Sequence, residues 1–158
     1  MATSNVSGQM QVFKKLYWAM SVGQVLLGVV CYVLISTGIL GNPDYSTALT
    51  LQKVAVIFIP AAMAAGYFLF KYQLAHIDAK QSLEDRLKRY FGFMIMRSAL
   101  FEVAFLYCCL AALVTNVLLF LWIAPVVFFV FLLLRPTPEA IISDLQLNPS
   151  DSIKVRGS

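Results

Sequence analysis

The sequence is poor in charge. Only 13% of its 158 residues are Asp, Glu, Lys or Arg, about half the share of an ordinary globular chain, so a soluble domain of this length would lack the polar surface to cover itself. Histidine is reduced to His76 alone, which excludes a histidine metal cluster and a Ser/His/Asp triad. The three cysteines, Cys31, Cys108 and Cys109, lie inside apolar runs and make no CxxC or other metal-ligand spacing. They read as small hydrophobes, and no metal or other cofactor is implied. No basic tract is interleaved with aromatics, so the net charge of +4 does not point to nucleic acid. The alternating pattern of a β-barrel is missing as well.

What the chain has in abundance is apolar length. Sixty per cent of its residues are apolar and its mean hydropathy is +0.79, values that place it in a lipid bilayer. Four runs are long enough to cross one, at about residues 16–40, 49–72, 91–114 and 117–134. With no water to satisfy backbone groups, such runs are helices. The expected fold is therefore all-α, a four-helix transmembrane bundle over residues 11–134. Residues 1–10 are polar and without period and are expected to be disordered, and residues 135–158 form a tail. The first run is too long for a secretory h-region and ends on no small-residue cleavage site, so it is expected to stay as an uncleaved helix.

The basic residues orient the bundle. Of twelve, Lys14 and Lys15 precede the first run, Lys71, Lys80, Arg86, Lys88 and Arg89 lie between the second and third, and Arg135, Lys154 and Arg156 follow the fourth. Only Lys53 falls on the opposite side, and Arg97 is intramembrane. The positive-inside rule then places both termini and the middle loop in the cytoplasm, an N-in/C-in topology in a bacterial inner membrane. The turn at Thr115 and Asn116 is short enough to make the last two helices antiparallel neighbours.

Two cytoplasmic segments carry helix signals. Ser82 with Asp85 is a capping-box variant, and Glu84 with Lys88 and Asp85 with Arg89 are acid-before-base pairs at i, i+4, so the third helix is expected to begin near Leu83 as a cytoplasmic extension. This loop is a candidate docking surface for a cytoplasmic protein partner or for anionic lipid, against the plainer reading of a solvated helix start. In the tail, Thr137 as N-cap, Pro138 at the first helical position and Glu139 in the first turn open a short amphipathic helix with Ile141, Ile142 and Leu145 on one stripe. It either lies on the membrane surface or packs under the bundle. Pro149 limits it, and disorder is expected beyond.

The intramembrane charges carry the functional question. Counted from the start of the third apolar run, Arg97 is close enough to the cytoplasmic end to snorkel. Glu102 lies about 16 Å deep at 1.5 Å per residue, near the midplane. An ionised carboxylate there costs several kcal/mol at least, so Glu102 is expected to be protonated, paired or open to a wet cavity. Gln24 on the first run sits at a similar depth and is the pairing candidate. Ser98, Glu102 and Cys109 form a rough polar stripe, and Pro60, Pro125 and the small residues up to Gly66 bring kinks and close approach to the central layer. The candidate ion or proton site is thus Glu102, Gln24, Ser98 and Arg97, in a homo-oligomeric transporter, channel or subunit. The alternative is a non-catalytic accessory or scaffold protein docking a partner, in which Glu102 and Gln24 form one interhelical hydrogen bond. No acid/base pair beyond Glu102 supports an enzyme.

Three short stretches, the Gly23-Gln24 pair, the run from Arg97 to Glu102 and the closing Arg135-Pro136-Thr137, resemble a group of small four-helix membrane proteins of bacteria. The resemblance covers about residues 11–147 and implies the fold; it brings no activity. The proteolipid subunits of rotary ATPases and the small multidrug-resistance transporters also carry one membrane Glu. The former are richer in glycine than this chain, and the latter are shorter and hold their Glu on the first helix.

Overall fold

The computed structural model describes residues 2–78 and 81–156, and among these there is no strand. Lys80 of the middle loop lies outside the described residues, as does the side chain of Lys154. Six helices follow in order: α1 (Ala2–Ser36), α2 (Tyr45–Ala75), α3 (Leu83–Thr115), α4 (Leu119–Leu133), α5 (Pro138–Leu145) and α6 (Pro149–Arg156). Three of them, α1, α2 and α3, are long and apolar enough to cross a membrane. α4 joins them only when taken with α5 as one broken span, the two meeting at 67°. Its 15 residues make about 22 Å at 1.5 Å per residue, short of a full hydrocarbon core.

α3 is the hub, touching α1, α2 and α4. Against α2 the approach is close at Gly66, where a Cβ would lie 3.3 Å from the Phe101 ring and 3.4 Å from Leu100 Cβ, so the small residues there do what small residues do between membrane helices. Against α1 the helices run parallel. Gly28 faces Phe105, and one turn further Cys31 and Cys109 meet in the buried cluster that also holds Ala104, Cys108 and Phe120. The outward faces of α1 and α2 stay apolar, with Leu26, Val30, Val56, Ile57 and Phe68 all exposed, as lipid contact requires.

The expected helix starts are present. Ser82 Oγ accepts from the Asp85 amide at 3.2 Å and donates to Asp85 Oδ2 at 2.7 Å, opening α3 at Leu83. Thr137 Oγ1 accepts from the Ala140 amide at 3.2 Å, with Pro138 as the first residue of α5. At the other end of the bundle Asp44 caps α2, accepting from the Ser46 and Thr47 amides at 3.1 Å each, and its own amide donates to the Thr115 carbonyl. These bonds, from Thr47 first and then Ser46, hold the exposed Asp44 carboxyl down at about 2. Asn116 ends α3 in the left-handed region, φ 54°, making the tight turn into α4.

Helix extends beyond the apolar runs toward both ends of the chain. α1 begins at Ala2, because Met10, Phe13 and Tyr17 continue its buried stripe toward the N-terminus, with Phe13 stacked on Phe91 at 4.7 Å. The stretch after Pro149 is α6, whose Val155 is fully buried. Together the start of α1, α5 and α6 enclose a second core with Leu87, Tyr90, Phe91, Met94, Ile141 and Leu145. α5 thus buries its apolar stripe, Ile141 and Leu145, against these helices. Phe91 and Met94, at the start of the third apolar run, are covered by protein.

Candidate functional site

The residues Arg135-Pro136-Thr137-Pro138 end α4 abruptly. Neither proline has an N–H, and the last carbonyls of any helix lack intrahelical donors, so the end of α4 needs partners from elsewhere. Two side chains supply them. Tyr17 of α1 donates its hydroxyl to the Phe131 carbonyl at 2.6 Å and stacks its ring on the Phe131 ring at 4.7 Å. Arg97 of α3 donates to the Leu134 carbonyl and lays its guanidinium over the Phe70 ring at 4.4 Å. A cation at a helix C-terminus is also favoured by the helix dipole. Arg97 is 8% exposed, so it turns inward as a cap and does not snorkel.

The neighbouring charges are similarly occupied. Asp144 on α5 accepts from Tyr90 at 3.1 Å and pairs with Lys71 Nζ at 3.1 Å. Arg86 donates to the Leu145 carbonyl at the end of α5. One acid, two bases and a tyrosine on α2, α3 and α5 therefore close this end of the molecule around a polar groove. His76, exposed, meets only its own helix through the Tyr72 carbonyl and ring. No group of three His, Cys, Asp or Glu that could hold a metal occurs among the described residues.

The other candidates stand apart from this network. The parallel pairing of α1 with α3 at Cys31 and Cys109 puts Gln24 and Glu102, each seven residues earlier, at one level, as their similar depth in the sequence implies. The hydrogen bond between them is not made: both amide atoms of Gln24, a residue 3% exposed, are buried without a hydrogen-bond partner. Leaving such an amide unpaired costs about 1–3 kcal/mol. Glu102 is half-buried on α3 with no hydrogen bond or ion pair. Ser98 is buried one turn before it. Arg97, five residues from Glu102 and about 140° around the helix, is committed to α4. The four predicted residues are thus brought to neighbouring levels and not into one bonded cluster.

Levels can be counted along α3. Arg97 marks the level of the α4 terminus, and Glu102 lies five residues, about 7.5 Å, further along α3. Thr115, where α3 ends, is about 20 Å beyond.

Sequence reasoning missed Tyr17, Tyr90, Asp144, Lys71 and Arg86 as a bonded set. A signal existed for part of it: two prolines within three residues announce orphan carbonyls, and a buried Arg within reach of a helix end is a ready donor. Nothing in the sequence pairs Asp144 with Lys71, 73 residues away. No known protein family matches the chain, nor does any curated protein or solved structure.

Proposed function

We propose that the chain is an integral protein of a bacterial inner membrane, crossing it four times with both termini and the α2–α3 loop on the cytoplasmic side. We further propose that copies of it assemble to handle protons or cations at Glu102, as a small transporter, channel or subunit of one. The observation that carries this reading is the unpartnered Glu102 carboxyl on an apolar stretch of α3. A carboxyl kept there solely for structure would have its hydrogen bonds made within the fold, as Asp144 does. A carboxyl that exchanges a proton or cation needs them free. Its position about 7.5 Å beyond the level of Arg97 supports access from the basic, cytoplasmic end. Its partial exposure supports a neighbouring copy as the missing wall.

The test is flux through proteoliposomes holding the full chain. Wild type is expected to carry a pH-gradient-driven current that Glu102→Gln abolishes while the thermal midpoint is retained. Absence of flux in wild type, or unchanged flux in the variant, overturns the reading.

The accessory or scaffold reading is favoured by a different observation: the cytoplasmic end is an ordered cap of α5 and α6 that leaves Ile153 exposed. Retrieval of a stable partner from native membranes by wild type, lost on deleting α6, supports it; retrieval of the chain alone counts against it.

A further inference from the structure

A groove of about 340 Å³ runs along the side of the molecule between α1 and α4. Its walls are apolar and include four aromatic rings, those of Tyr32, Phe105, Trp122 and Phe128. Gln24 lines it too, the same Gln24 whose amide nitrogen and oxygen have no partner. We propose that this groove binds an uncharged, lipid-soluble molecule with a flat carbonyl-bearing ring, its carbonyl accepting from the Gln24 amide and its ring lying among the aromatics.

Other occupants fit less well. A hydrocarbon tail fills the groove and leaves the amide unpaired, an outcome buried polar groups avoid. A phospholipid carries its polar part at the interface, whereas Gln24 lies seven residues, about 10 Å, along α1 from Tyr17 and the α4 terminus. A second copy would satisfy both amide atoms by reciprocal Gln24 pairing, but each Gln24 is recessed to 3% exposure, and two recessed side chains cannot meet. A small ligand reaches in. The terminal torsion of a glutamine is broad, so the amide turns toward the groove without moving the helix. Flat rings gain from edge-to-face or offset contact with aromatics. Glu102 does not line the groove, so this site stands or falls separately from the proton or cation reading.

The chain reports on the site itself. Of its two tryptophans, Trp122 lines the groove and Trp18 lines another beside Arg135. In the full chain carrying Trp18→Phe, in nanodiscs, decylubiquinone is expected to quench Trp122 fluorescence saturably. Gln24→Leu is expected to weaken binding about tenfold, as the loss of a buried hydrogen bond would. Dodecylbenzene, a ring and tail with no carbonyl, is expected to relieve the quenching only at about tenfold higher concentration. Quenching that rises linearly with the probe, an unchanged midpoint in Gln24→Leu, or equal competition by dodecylbenzene overturns the proposal. Should Gln24→Leu fail to fold, Val29→Phe decides: Val29 is half exposed on the groove wall, and bulk there is expected to weaken binding with Gln24 intact, an unchanged midpoint again overturning it.

Discussion

The two halves of this molecule treat polar side chains in opposite ways. At the end of the molecule closed by α5 and α6, Arg97, Arg86, Lys71, Asp144, Tyr17 and Tyr90 each close a bond that the backbone or a neighbour requires. Further along α1 and α3, Gln24 has no partner for its buried amide, and Glu102 has none for its carboxyl. The first set is explained by structure: it satisfies helix ends cut short by prolines and fastens α5 to α2 and α3. The second set is costly to the fold as it stands. A residue that weakens the monomer without a structural return is where a ligand, a proton or a second copy has something to supply.

This contrast can be broken experimentally, beginning at the capped end. Leu145→Ala, which hollows the core between α5, α3 and α1, is expected to lower stability by about 2–5 kcal/mol and to expose the α5 backbone to hydrogen exchange. Should the midpoint hold, α5 and α6 are an appendage and the two-core description fails. Arg97→Met is expected to cost about 1.5–3 kcal/mol, the range for a hydrogen bond to a charged group, read as a lower thermal midpoint in detergent. Were Arg97 a free snorkelling cation, the same change would be nearly neutral. Glu102→Gln is expected to move the midpoint by no more than about 0.5 kcal/mol, because no partner is lost; a large loss would move Glu102 into the structural set.

The smallest effect is at the opposite end of the bundle. Hydrogen bonds from Thr47 and Ser46 lower the Asp44 carboxyl from 3.8 to about 2. A folded pKa below the unfolded one contributes stability that is fully present above the unfolded value and is lost as pH falls through the folded one. Amide protection at Ser46 and Thr47 is therefore expected to persist from neutral pH to about 4 and to fade toward about 2, and Asp44→Ala is expected to remove this dependence.

Much of the helical architecture was legible in the sequence, because bilayer-length apolar runs and caps are local features. Ser82 with Asp85 and Thr137 with Pro138 opened helices at the expected residues. The packing of the chain ends was less legible. Residues 1–10 and those after Pro149 are too polar to form a core alone, yet each contributes an apolar residue, Met10 or Val155, to a cluster assembled from five helices. The same cluster covers Phe91 and Met94 at the start of the third apolar run. Of the candidate site, the level shared by Gln24 and Glu102 could be read from residue counts. Whether their side chains bond depends on helix rotation, which counts do not carry.

By itself the sequence determined that this is a helical membrane protein, where α3 and α5 begin, and which few polar residues enter the apolar runs, since hydropathy, capping and charge are properties of neighbouring residues. Only the tertiary structure decided which of those polar residues are satisfied. Arg97 is, through a carbonyl 37 residues away, while Gln24 and Glu102 are not, because satisfaction is a matter of which helix faces which.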